Sequence, residues 1–130
     1  MGGVAAVQVA AMAEATNLKA LAAFNPCVSY ASKDLPKEIK VPTMFITGSL
    51  DDVCPGVPQA FDEDPLQPKV LADIKGKTHN DIGDSHSQAL NPYGIHFLNC
   101  ELQGQGCDYL YNASHQDYLC DNGEYEYLRC

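Results

Sequence analysis

The chain has 130 residues, 45% of them apolar, and a formal net charge of -9. This length and apolar fraction fit a globular chain with a real core rather than a disordered one. The acidic balance argues against nucleic acid or an anionic membrane surface as partner, since both need clustered Lys and Arg, and no stretch is long and apolar enough to predict a membrane span.

Residues 2–15 predict a helix that is apolar nearly all round, with only Gln8 and Glu14 polar. Such a helix is buried, and its many small residues permit close approach to a sheet. Residues 18–28 predict a buried strand, ended by Asn25-Pro26. A polar loop over 29–40 follows. Residues 41–48 predict a second apolar strand, with Pro42 near its start, where a Pro is tolerated. Residues 49–68 form an Asp- and Pro-rich loop with one helical turn at 59–62. Residues 70–74 predict a third strand. Residues 85–102 predict an amphipathic helix, weakened in the middle by Pro92 and Gly94. A short helix near 107–111 and a strand-like alternation at 125–128 complete the chain. This order predicts an α/β fold with three parallel strands and flanking helices. It divides into a main part, 1–102, and a Cys-rich C-terminal extension, 103–130.

Six Cys are many for this length, and none is spaced C-x-x-C. A zinc ribbon or thioredoxin-type motif is therefore not expected. An even count in loop-rich sequence predicts disulfides and an oxidising compartment. Six Cys allow about 15 pairings, so spacing alone does not fix the connectivity. Asn112-Ala113-Ser114 is an acceptor triplet for N-glycosylation, in keeping with secretion. No secretion signal is visible, because no basic residue precedes the apolar start and the first Lys is Lys19. A secreted protein without a signal predicts a true N-terminus upstream of Met1.

Asp51 follows directly on the second strand, in ITGSLDDVCP. Catalytic groups gather at the carboxyl ends of parallel strands. A carboxylate there can fix the tautomer of an imidazole and stabilise the imidazolium. A turn-forming Asp is the plainer reading, and Asp52 is the alternative acid. His79, in GKTHND, lies just past the third strand and suits a general base near neutral pH. Acid after one strand and His after the next is the order Ser, Asp, His of α/β-hydrolases. His86, His96 and His115 read as structural or exposed. His79, Asp81, Asp84 and His86 make an H-x-D-x-x-D-x-H run, but the spacing matches no metal-loop signature, and neither metal nor cofactor is expected. No Ser has the flanking Gly residues of a nucleophile elbow. The start of the chain, Met1-Gly2-Gly3 and an Ala-rich helix, reads as the half of such an elbow that follows its Ser.

These residues resemble a family. MGGVAAVQVA is similar to the segment after the Ser in G-H-S-M-G-G elbows of the dienelactone-hydrolase-like branch of α/β-hydrolases, which includes cutinase-like polyester (PET) hydrolases. VPTMFITGSLDDVCP resembles the region bearing their acid, which maps onto Asp51. DIKGKTHN resembles the segment bearing their His, which maps onto His79. SQALNPYGIHFLNC resembles their penultimate helix. CDNGEYEYLRC loosely resembles their disulfide-closed C-terminal strand, implying a Cys120–Cys130 bridge. Cys27 and Cys54, each after one of two neighbouring strands, then form a candidate bridge near the site, and Cys100–Cys107 a short loop closure. The chain departs from the polyester hydrolases at the wall after Pro26, where Cys27 stands, and it has no Trp.

The resemblance implies the C-terminal part of a secreted serine esterase acting through an acyl-enzyme. His79 takes the proton of a Ser that precedes Met1, Asp51 orients His79, and the Met1 N–H joins the oxyanion hole. The substrate class is a small or polymeric ester. By itself the chain is expected to be inactive, and its first strand to be an unpaired edge. The competing expectation is a non-catalytic secreted protein of the same ancestry that binds a ligand or partner.

Overall fold

A computed structural model of the chain describes residues 2–12, 17–28, 34–83, 91–111 and 125–129. Helix α1 (Gly2–Ala11) leads into strand β1 (Leu21–Phe24). A 3-10 turn at Leu35–Glu38 precedes β2 (Thr43–Gly48), α2 (Val57–Glu63) and β3 (Lys69–Ile74). Then come α3 (His79–Gly83), α4 (Asn91–Gln103), α5 (Cys107–Tyr111) and β4 (Tyr125–Arg129).

The sheet has the order β1-β2-β3-β4. β1, β2 and β3 are parallel, with Leu21 beside Thr43 and Thr43 beside Lys69. β4 pairs antiparallel with β3, Leu71 facing Arg129. β2 lies between two parallel neighbours and is buried along its whole length, which is why its sequence is a continuous apolar run rather than an alternation.

The strands divide their side chains between two cores. Leu21, Ala23, Phe45 and Leu71 pack with Val7 and Ala10 of α1 and with Val57 and Phe61 of α2. Met44, Ile46, Val70 and Ala72 pack on the other face with Phe97 of α4 and Leu110 of α5. The result is helices on both faces of a parallel sheet. Among the described residues β1 has a strand partner on one side only.

Several expectations are corrected. α1 is not buried all round: Val7, Ala10 and Ala11 face the core, while Val9 and Met12 are exposed. A helix lying on one face of a sheet covers only one side of itself. β1 is four residues long, not eleven. It stops because Asn25 turns into the left-handed region, with φ of 43°, which an extended strand cannot hold. α4 (Asn91–Gln103) covers the C-terminal part of the helix expected over 85–102; residues 84–90 lie outside the described residues. The expected turn at 59–62 is a seven-residue helix, α2. β4 pairs with β3 at the edge of the sheet, and the Cys100–Cys107 bridge joins α4 to α5.

Candidate active site

The carboxyl ends of β1, β2 and β3 converge through a lattice of loop hydrogen bonds. After β2, Ser49 N–H donates to the Ile74 carbonyl at 3.0 Å, and Leu50 N–H to the Lys77 carbonyl at 2.9 Å. Gly76 N–H donates to Ser49 Oγ at 2.9 Å. Gly48 makes the approach possible, since a Cβ there would overlap the Lys77 carbonyl. The loops carrying Asp51 and His79 are thus laced together backbone to backbone.

Within that frame Asp51 turns inward. Its side chain is 1% exposed. Asp51 Oδ1 accepts the N–H of Val53 at 2.9 Å and of Cys54 at 2.8 Å, the geometry of an Asx turn. Its other oxygen, Oδ2, lies 2.9 Å from Nδ1 of His79. A carboxylate at Nδ1 places the ring proton there and leaves Nε2 as the basic nitrogen. The His79 side chain is 27% exposed, so its ring stands at the surface of the carboxylate pocket.

His79 opens α3, and the residues around it form a small capping box. Thr78 N–H and Thr78 Oγ each donate to Asp81 Oδ2 at 2.8 Å, and Asp81 N–H reaches back toward Thr78 Oγ at 3.5 Å. Hydrogen bonds from the Thr78 N–H and then its hydroxyl hold the Asp81 carboxyl below its ordinary range. From the far side of β2, Asn25 Nδ2 donates to the His79 carbonyl at 2.7 Å. Asn25 is itself fixed by its N–H to the Ile46 carbonyl at 2.8 Å. Three strand ends therefore position one imidazole.

Among the described residues there are two disulfides, Cys27–Cys54 and Cys100–Cys107, with Cα atoms 4.6 Å and 4.9 Å apart. The first ties the end of β1 to the Asp51 loop. A ring nitrogen of His79 and the sulfurs of Cys27 and Cys54 lie within 4.8 Å of one another, but bridged sulfurs are not thiolates and do not offer a metal the ligands it needs. Of the His79, Asp81, Asp84 and His86 run, His79 is held by Asp51 and Asp81 by Thr78; Asp84 and His86 lie outside the described residues, as do Met1, Asn112, His115, Cys120 and Cys130. Asp52 is exposed and His96 half-buried.

Sequence reasoning missed Asn25 and the capping box. The box was readable as Thr78-x-x-Asp81. Asn25 was not, because its role depends on a contact across 54 positions. No protein-family model matches this chain, and no curated protein matches it either. Among the described residues no helix is long and apolar enough to cross a membrane.

Proposed function

We propose that this chain carries the acid and the base of a secreted serine ester hydrolase of α/β-hydrolase type. The observation that supports this reading is the buried Asp51 carboxylate 2.9 Å from Nδ1 of His79, at the carboxyl ends of adjacent parallel strands, where such groups act. A second support is the tight seat of α1. A Cβ on Gly3 would overlap the Phe24 carbonyl, as expected of a small residue just past an elbow.

In this reading the nucleophile is a Ser from a segment preceding Met1. His79 Nε2 takes its proton as Oγ attacks the ester carbonyl, and Asp51 stabilises the imidazolium. His79 then gives the proton to the leaving alcohol, and afterwards activates the water that releases the acid from the acyl-enzyme. The Met1 N–H belongs to the oxyanion hole, and no cofactor enters. The two disulfides fit an oxidising compartment. The substrate is a small or polymeric ester.

The test starts by reading the transcript across the Met1 codon and expressing the chain it encodes. Turnover of p-nitrophenyl esters is expected, with His79→Ala lowering kcat by about 10⁶-fold. Full activity in His79→Ala, or a leader with no upstream Gly-x-Ser, defeats the proposal.

A further inference from the structure

We propose that Cys27–Cys54 is a thiol–disulfide exchange site, opened by a small thiol and promoted by His79, whereas Cys100–Cys107 is a resistant structural bridge. Each bridge has a carboxylate nearby, Asp51 on the Cys54 N–H and Glu101 beside Cys100, and Cys27–Cys54 has an imidazole as well. A ring nitrogen of His79 lies within 4.8 Å of the Cys27 and Cys54 sulfurs. At the other bridge, Cys100 Sγ lies 3.7 Å from a carboxylate oxygen of Glu101. Access is nearly the same: each bridge joins one partly exposed Cys, Cys27 or Cys107, to one buried Cys, Cys54 or Cys100. The imidazole, not exposure, therefore separates them.

Exchange begins when a thiolate attacks one sulfur and drives the bonding pair onto the other. Solvent reaches Cys27, while Cys54 is 1% exposed. The incoming sulfur therefore bonds to Cys27 Sγ, the Cys27–Cys54 bond breaks, and the pair leaves on Cys54 Sγ as a thiolate. An imidazolium beside it lowers the pKa of that leaving thiol, and a lower pKa leaves faster. A second thiol then attacks the incoming sulfur of the mixed disulfide and releases Cys27 as a thiolate. Two external thiols are oxidised to one disulfide, and the protein bridge gains two electrons and two protons. At Cys100–Cys107 the Glu101 carboxylate repels a departing thiolate and slows the same step.

Opening the bridge also reaches the acid. The Cys54 N–H holds Asp51 Oδ1 at 2.8 Å, so release of Cys54 loosens the carboxylate that orients His79. That consequence rests on the hydrolase reading; the exchange itself does not, and alkylation reads it without any ester.

The test treats the folded chain with limiting 2-mercaptoethanol, quenches it with iodoacetamide and maps each Cys by peptide mass spectrometry. Cys27–Cys54 is expected to open roughly tenfold faster than Cys100–Cys107, with the first adduct on Cys27. His79→Ala should remove most of that advantage and leave the Cys100–Cys107 rate unchanged. Equal rates in the native chain, a first adduct on Cys54, or an undiminished advantage in His79→Ala overturns the proposal. If His79→Ala speeds both bridges it has lost the fold, and Glu101→Gln decides. That change should speed Cys100–Cys107 several-fold and leave Cys27–Cys54 alone, and a bridge indifferent to losing its carboxylate overturns the proposal.

Discussion

Asp51 is held by three hydrogen bonds, and each limits what can replace it. Asp51→Ala leaves the N–H of the buried Cys54 without its acceptor, a loss of about 2 kcal/mol. Asp51→Asn keeps an acceptor for that N–H but sets an amide against His79 Nδ1 and favours the other ring tautomer. Chemical denaturation should therefore find Asp51→Ala clearly destabilised and Asp51→Asn much less so. In both variants the downfield proton resonance of a carboxylate-bound Nδ1–H should be gone. Asp64 is the opposite case, a buried acid that the fold penalises. Its Oδ1 accepts the Leu66 N–H at 2.9 Å, while Oδ2 is buried without a hydrogen bond. Burial pushes the Asp64 carboxyl up from its ordinary 3.8, against the Leu66 hydrogen bond and the nearby Lys69. A raised acid binds its proton more tightly in the folded chain than in the unfolded one. Stability on its account therefore falls as pH rises from 3.8 through the folded value, and the deficit persists at neutral pH. Asp64→Asn should raise neutral-pH stability by about 1 kcal/mol and flatten that part of the stability–pH curve. A variant less stable than the parent at pH 7 contradicts this.

At the scale of elements, the seat of α1 makes a paired prediction possible. A Cβ on Gly3 would overlap the Phe24 carbonyl and lie 3.1 Å from Pro26 Cα, while one on Gly2 meets nothing within 4 Å. Gly3→Ala must push α1 off the end of β1, costing about 2 kcal/mol. Gly2→Ala, exposed and one residue away, should instead gain about 0.5 kcal/mol through helix propensity. Thermal melts of the two variants should move in opposite directions. The strands most legible in the sequence are those buried on both faces. The apolar runs through Met44–Phe45–Ile46 and Val70–Leu71–Ala72 have no alternative to a central parallel strand. Edges were less legible. The apolar pattern overruns β1, because Ala and Leu continue before it and Cys and Val after it, whereas its end is set by the backbone of Asn25. The composition of α1 implies burial all round, because composition does not say how many sides a helix has covered. α3 leaves no pattern in the sequence because five residues show no periodicity, and capping by Thr78 and Asp81 starts it.

For the whole molecule, the acid and the His could be ordered from sequence because parallel strands put their carboxyl ends at one edge, so residues 28 positions apart meet at Asp51 and His79. What pattern cannot carry is the cross-linking of that edge. Asn25 reaches His79, and Cys27 reaches Cys54, across strands whose adjacency is known only once the sheet is assembled. The bridges bear on global stability through the loops they close, 27 residues apart for Cys27–Cys54 and 7 for Cys100–Cys107. Loop-closure entropy assigns them about 3.5 and about 2.4 kcal/mol. Cys27→Ser with Cys54→Ser should accordingly lower stability more than Cys100→Ser with Cys107→Ser, in denaturant melts under non-reducing conditions. The first pair should also blur the Asp51–His79 proton resonance, since Cys27 no longer anchors the loop that holds the carboxylate. The second pair lies on α4 and α5, on the opposite face of the sheet from α1 and α2, and should leave that resonance in place. Equal losses from the two pairs, or a resonance untouched by the first, would mean that the backbone lattice alone fixes the site and that the bridge beside it serves only the unfolded chain.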